Sequence, residues 1–365
     1  AIRALCYLNL ATWFSRAPYN SLTGASRWNE PCVPVYTTGT SIDTGGQPRE
    51  SLRTVYGRID QDIDRAIELL EKARETTLAE NNKSHINLYV ALGIKSRACL
   101  VEGDWDGAYA AAKRVIDEGG YAVGTKSDLT GGMNSLDKQN VMWGAGIQVA
   151  DQAGGYAGFF THMDNKEGAY AKSAPKLISK QLYNRISATD IRRDWWDPSD
   201  KESPYVSKKF SFANVASFLG DYIYMRVEEM YFTAAEAALR LDDLKSAREL
   251  MNTVMAERDP GYSANNRSGT LLGATTTTWT GSFLENILTH RRIELWGEYG
   301  RLFDVRRLGQ GIDRRTDDGF SEECISMMNR RNVNITKADT YDWVLTIPKA
   351  ELDANPNINE EDQNP

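Results

Sequence analysis

Residues 85–123 read HINLYVALGIKSRACLVEGDWDGAYAAAKRVIDEGGYAV, and residues 224–260 read YMRVEEMYFTAAEAALRLDDLKSARELMNTVMAERDP. Laid over one another with Asp104 on Asp243, the two segments match in kind: Trp105 falls on Leu244, Ala108 on Ala247, Ala112 on Met251 and Val115 on Val254. Apolar residues recur at helical spacing on both sides of each aspartate, so each segment reads as helix, tight turn, helix. Each aspartate stands where its carboxylate accepts from the free N–H groups that open the second helix. Ala108 and Ala247 fall where two antiparallel helices come closest, and the small Ser96 and Ala235 of the preceding helices face them. That is the arrangement of a tetratricopeptide (TPR) hairpin.

A half-unit of the same kind stands in YGRIDQDIDRAIELLEKA, residues 56–73, where Ala66, Leu70 and Ala73 keep the spacing. Its partner helix is read at Ala1 to Phe14. One hairpin cannot bury its own apolar face, so hairpins of this kind stack. The expected fold is therefore mainly α and forms a single body. Its TPR-like scaffold occupies roughly 1–15, 52–123 and 221–311. Loop-rich insertions interrupt it at roughly 16–51, 124–220 and 261–282, and a tail follows at 312–365.

Residues 290–311, HRRIELWGEYGRLFDVRRLGQG, raise the question of catalysis. Two glutamates in one helix can act as general acid and base, hold a metal, or pair with arginines. On a helical wheel, Leu284, Leu288, Leu295, Tyr299 and Leu302 form one stripe, and Arg291, Glu294, Glu298 and Arg301 form its neighbour. Each carboxylate then has a guanidinium one turn away, which lowers its pKa. A general acid needs the opposite, a proton kept near neutral pH. Arg291, Glu294, Glu298 and Arg301 are therefore expected to form a structural ion-pair ladder, with no catalytic residue among them. Gly297 and Gly300 are expected to allow close packing or a bend.

Composition excludes further classes. Of 365 residues, 41% are hydrophobic and 25% charged, enough to bury a large core. A formal net charge of -7 argues against nucleic acid as a partner, because such a surface does not neutralise phosphates. No run reaches the ~18 apolar residues that would span a bilayer. Cys6, Cys32, Cys99 and Cys324 lack CxxC spacing and read as free thiols, while His85, His162 and His290 lie far apart. No zinc set, P-loop or dinucleotide fingerprint can be assembled, so no metal and no cofactor is expected. The chain opens in helix, AIRALCYLNLATWF, without an initiator Met. An N-terminal segment of the full protein, with any signal or lipid anchor, is read as lying outside this sequence.

Several motifs join at this point: RALCYLNLATWFSRAPY (3–19), RVEEMYFTAAEAAL (226–239), HRRIELWGEYGRLFDVRRLGQG, IPKAELDANPNI (347–358) and the terminal DQNP. Together and in this order they resemble the SusD/RagB family of surface glycan-binding lipoproteins, from end to end of the chain. The resemblance implies a right-handed superhelical TPR scaffold and a non-catalytic protein. Such a protein sits on the outer membrane, exposed at the cell surface and held only through a lipid anchor. It captures oligosaccharide or polysaccharide and delivers it to a TonB-dependent transporter of the SusC type.

A sugar ring lays its C–H face on indole and phenol rings, and its hydroxyls need amide, carboxylate or guanidinium partners. Aromatics of the insertions are thus the expected platforms: Trp28, Tyr156, Phe159, Trp195, Trp196 and Trp279, with Asn29, Arg193 and Asp197 as polar partners. The Trp195–Trp196 pair is the expected centre. Successive residues of an extended segment point to opposite sides, so one indole should anchor the loop and the other face outward. Trp13, Trp105, Trp296 and Trp343 fit patterns that bury them, and Trp143 in NVMWGAGIQV fits either role. Two rival readings are weighed. A helical glycoside hydrolase needs two unpaired carboxyls ~5 to 9.5 Å apart, and Asp190, Asp194 and Asp197 stand among Arg192 and Arg193. A peptide-binding TPR scaffold needs continuous repeats, whose groove the insertions would cover.

Overall fold

The two aligned segments fold as helical hairpins. Helix α3 (Leu88–Glu102) turns into α4 (Trp105–Glu118), and α5 (Val227–Arg240) turns into α6 (Leu244–Ala256). Each turn places a left-handed residue at the same aligned position, Gly103 at φ 78° and Asp242 at φ 62°. Glycine adopts that conformation freely and aspartate tolerates it better than most residues. The next residues, Asp104 and Asp243, cap the second helices by accepting from Gly107 N and Ser246 N, each at 3.0 Å. Ser96, Ala108, Ala235 and Ala247 are fully buried, small enough for the helices to approach closely.

The computed structural model describes the chain apart from residues 38, 42, 77–81, 151–156 and 314–339, with backbone alone at 74–76 and 342. Before the hairpins, α1 (Ile2–Phe14) packs on α2 (Leu52–Thr76) and α2 packs on α3. Helix α4 packs on α5, so the hairpins stack into one array over a common core that includes Leu8, Ile59, Ile94, Val115, Phe232 and Val254. Helix α7 (Phe283–Glu294) lies on α5, and α8 (Arg301–Leu308) reaches α3. An antiparallel ribbon of β1 (Val141–Ala145) and β2 (Tyr222–Arg226) feeds directly into α5, with Gly144 opposite Ile223 and Ala145 opposite Tyr222. The fold is mainly α and built on TPR-like hairpins.

The single helix that the wheel assumes from Leu284 to Leu302 is broken at the two glycines. Helix α7 ends at Glu294 and α8 begins at Arg301, and between them Gly297 (φ 75°) and Gly300 (φ 115°) take conformations that a Cβ resists. This corrects the ladder, because a wheel places neighbours only along one unbroken helix. Glu294 accepts from Arg226 and Arg258 on one oxygen, both at 3.0 Å, and from Arg258 at 3.0 Å and Arg192 at 3.2 Å on the other. Glu298 accepts from Arg226 at 2.8 Å on each oxygen and from Lys209 Nζ at 2.5 Å. Arg291 turns away from both glutamates, to Asp304 at 2.9 Å and Glu229 at 3.6 Å. Arg301 opens α8 and acts on Asp304.

Burial alone would raise the pKa of these carboxyls. For Glu294 it is outweighed by Arg258, Arg226 and Arg192, which hold it well below the usual range, and Arg226 and Lys209 do the same for Glu298 to a lesser degree. Burial pushes the Lys209 ammonium down to about 8. A second chain of alternating charge runs from α3 to α8 through Arg97–Glu229 (2.7 Å), Arg291–Asp304 (2.9 Å), Asp304–Arg307 (2.8 Å) and Arg307–Glu236 (2.7 Å). Asp304 falls to about 2 where burial is opposed by Arg291 and Arg307.

The end of the chain is fastened to α1. Asn364 donates to Phe14 O at 3.0 Å and to Leu345 O at 2.8 Å, and it accepts from Arg49 at 2.9 Å. Arg49 also donates to Asp362 O at 2.6 Å.

Glu294→Ala would leave three buried guanidiniums facing one another, and the unfolding free energy in urea should fall by about 3 to 5 kcal/mol. Exposed Glu68→Ala should leave it nearly unchanged, and a loss as small in Glu294→Ala would show that the network does not hold the fold. Folded-state pKa values of Glu294, Glu298 and Asp304 are depressed. Their contribution is therefore complete above the unfolded-chain values of 4.5 for glutamate and 3.8 for aspartate and is lost as pH falls below them, for Asp304 through about 2.

Between α2 and α3 the sign is reversed. Burial, then Asp60, raises Glu102 to about 9. From pH 4.5 up to about 9 the folded state keeps a proton that the unfolded chain gives up, so stability falls as pH rises through that window. Glu102→Gln, neutral throughout, should raise Tm at pH 8 by roughly 2 to 4 °C and leave it almost unchanged at pH 4.5 in scanning calorimetry. Equal shifts at the two pH values would refute the proton assignment.

Candidate functional site

Trp195 and Trp196 are not an exposed platform. Their side chains are 2% and 1% exposed, so neither indole faces outward. The alternation expected of an extended segment does not apply, because Trp195 ends a 3-10 turn (Ile191–Trp195) and Trp196 begins a two-residue ribbon paired with Val206–Ser207. That change of backbone sends both rings inward. Trp195 Nε1 donates to Leu129 O at 2.8 Å, and Trp196 meets Trp195 and Trp296 edge-on at 5.8 Å each. With Ile178, Leu182, Ile186 and, from α7, Ile293 they make a second apolar core.

The other expected platforms are scattered. Trp28 is half-buried, edge-on to Tyr56 at 5.7 Å with the Arg53 guanidinium 5.8 Å from its ring, and Asn29 beside it is exposed. Trp279 is half-buried under the Arg185 guanidinium at 4.4 Å. Arg193 donates to Ile186 O at 2.7 Å and lies over Tyr183. Asp197 closes a local turn by accepting from Ser199 N at 2.9 Å, and those Ser199 bonds lower its pKa. Tyr156 lies outside the described residues. Trp13, expected to be buried, is 43% exposed. Trp105, Trp296 and Trp343 are half-buried.

Among the described candidates, Phe159 is the one that enters a cavity. This cavity, about 410 Å³, opens where the β1–β2 ribbon, the outer face of α1 and the turn between α7 and α8 meet. Its size lies in the range of small-ligand sites. The ribbon explains the wall. Tyr222 and Tyr224, two residues apart on β2, share a face, and Trp143 comes across from β1, its ring 5.0 Å from that of Tyr224. Met225 points the other way, into the core. It presses so closely on Gly93 of α3 that a Cβ there would stand 2.3 Å from its sulfur. Phe159 adds its ring beside Phe210 at 5.2 Å and Tyr222 at 5.9 Å, and Tyr299 closes the far side.

Two charged side chains also line the cavity, Arg97 and Glu298, and both are paired. Arg97 donates through Nε and Nη2 to Glu229 at 2.8 and 2.7 Å and through Nη2 to Tyr224 O at 2.9 Å. Its guanidinium lies 3.7 Å from the centre of the Tyr299 ring. Nη1 has no protein acceptor among the described residues. Asn9 of α1 stands at the wall, its amide donating to Leu5 O at 2.9 Å. The arrangement offers flat apolar faces, a few hydrogen-bonding groups and two opposite charges already matched. Among the described residues no cluster of His, Cys, Asp and Glu is placed to hold a metal ion. Sequence reasoning passed over Tyr222 and Tyr224, although aromatic residues two apart before a helix were a signal that strand periodicity makes readable.

The SusD family (SusD_RagB) model matches residues 163–365. A search of curated proteins found no match. Among solved structures, the chain resembles a SusD-like carbohydrate binding protein from Bacteroides vulgatus with a TM-score of 0.76 and 25% identity, covering 99% of this chain and 75% of that one. It resembles a SusD superfamily protein from Bacteroides thetaiotaomicron with a TM-score of 0.75 and 24% identity, covering 100% of this chain and 76% of that one. In fold it also resembles surface glycan-binding protein A from Bacteroides uniformis, with a TM-score of 0.62, 18% identity and coverage of 100% and 76%. With the family match spanning more than half its length, the chain belongs to the SusD family.

Proposed function

We propose that this protein binds a glycan without converting it, stacking sugar rings on Trp143, Tyr224 and the aromatic faces beside them. The observation that carries the reading is the open cavity whose walls are aromatic and whose charged groups are already paired. Indole and phenol faces match the C–H face of a pyranose, while Arg97 Nη1, the Asn9 amide and the tyrosine hydroxyls suit its hydroxyls. Family membership supports the reading, as do the carbohydrate- and glycan-binding names carried by the similar structures. Glu294 and Glu298 favour binding over hydrolysis, because their arginine partners keep them ionised and a general acid must hold a proton.

In this reading the chain is a single body, with the insertion at 124–220 supplying Met133, Trp143, Phe159 and Phe210 to the cavity. The protein acts at the cell surface on the outer membrane through a lipid anchor outside this sequence, and it hands its glycan to a TonB-dependent transporter of the SusC type. Family membership supports that placement. Recovery of a large β-barrel transporter with the tagged protein from outer membranes tests it, and repeated recovery without one would count against it.

A glycan array followed by titration calorimetry on the best hit tests the binding role. Tyr224→Ala and Trp143→Ala should each weaken that binding by at least about 1 kcal/mol, with Tm nearly unchanged for the exposed Tyr224. Trp195→Ala should instead cost about 3 to 5 kcal/mol of stability, as a core truncation does. Wild-type affinity in both cavity variants would move the site elsewhere.

A further inference from the structure

We propose that the aromatic cavity takes uncharged sugar residues and turns away uronates and sulfated sugars. The inference rests on the glycan-binding reading and narrows it to one ligand class. Among the described residues, the charged side chains that reach the wall are Arg97 and Glu298, of opposite sign. Neither has a charge to offer. Arg97 grips both oxygens of Glu229 at 2.8 and 2.7 Å, and Glu298 is gripped by Arg226 at 2.8 Å on each oxygen and by Lys209 at 2.5 Å.

An entering carboxylate or sulfate faces two poor choices. It can draw Arg97 from Glu229 and strand a carboxylate that is 2% exposed, which is strongly unfavourable for a buried pair. Otherwise it must shed its water against Trp143, Phe159 and Phe210 in return for the Nη1 N–H of Arg97 alone, a guanidinium whose charge Glu229 already balances. The negative charge of Glu298 on the same wall and the net charge of -7 on the chain both add repulsion. A neutral sugar meets none of these costs. Its ring lies on the aromatic faces, and its hydroxyls accept from Arg97 Nη1 without disturbing the pairs.

The test begins with an array carrying neutral, uronate and sulfated oligosaccharides. It then compares matched pairs that differ only at the acid: hexagalacturonate, hexamannuronate and hexaglucuronate, each against its carboxyl-reduced counterpart, titrated into the full chain at low and high salt. Array hits should be neutral. In at least one pair the neutral member should bind at least about tenfold tighter than its acidic twin, with a Kd that salt does not change. Asn9→Arg, which adds a cation with no partner to the wall, should close that gap at low salt and reopen it at high salt. An acidic member that matches or exceeds its neutral twin in the unaltered protein overturns the inference and leaves glycan binding standing. If no sugar of any kind binds, the glycan reading falls and this inference falls with it.

Discussion

The Glu294 carboxylate stands in an interior closed to water, with Arg192, Arg226 and Arg258 around its two oxygens. Those three arginines come from parts of the chain that share no local connection: a 3-10 turn between β1 and β2, the junction of β2 with α5, and the residue two beyond the end of α6. Asp190, Glu228 and Glu298 with Lys209 complete a set in which four cations meet four carboxylates. Burying so many ions is expensive, and their attraction offsets that expense only when each finds its partners in good geometry. The cluster therefore acts on arrangement more than on net stability. It fixes where the segment between β1 and β2, the second hairpin and the break between α7 and α8 meet, and with them the cavity that lies against Glu298.

Aromatic residues divide between two tasks according to the backbone that carries them. Trp195 and Trp196 ride on a turn that changes from 3-10 to extended, so both rings fold into a core that joins this segment to Ile293 of α7. Tyr222, Tyr224 and Trp143 ride on a short ribbon whose other face is occupied by Met225 against α3. A ribbon with one face pinned to the core must show its other face outward. That constraint, more than any local composition, makes this aromatic wall available to a ligand.

The scaffold was legible because its determinants are local. Asp104 and Asp243 cap helices three residues ahead, and Gly103 and Asp242 turn the chain at matching places. Sequence showed as well that the glutamates near 294 would sit with arginines. The identity of those arginines was hidden, since Arg192, Arg226 and Arg258 lie 102, 68 and 36 positions away and helical spacing says nothing about such distances. The cavity was hidden for the same reason. It exists only where α1, β2 and the Gly297–Gly300 turn converge, and composition points to the richest aromatic dipeptide instead of to the ribbon that exposes its rings.

The bond from Asn364 to the carbonyl of Phe14 closes the last turn of α1 across 350 positions. A helix end leaves such carbonyls unsatisfied until something reaches them. At a synthesis rate of about 5 to 20 residues per second, roughly 20 to 70 s separate the emergence of α1 from that of its cap. Arg49 waits through the same interval for Asp362 and Asn364. Contacts between such distant positions form slowly, because a long loop must close before they return anything. Through that time α1 is held by its packing on α2 and α3 and by the Tyr7–Tyr36 bonds, and the carbonyl of Phe14 meets the Asn364 amide only when the end of this sequence arrives.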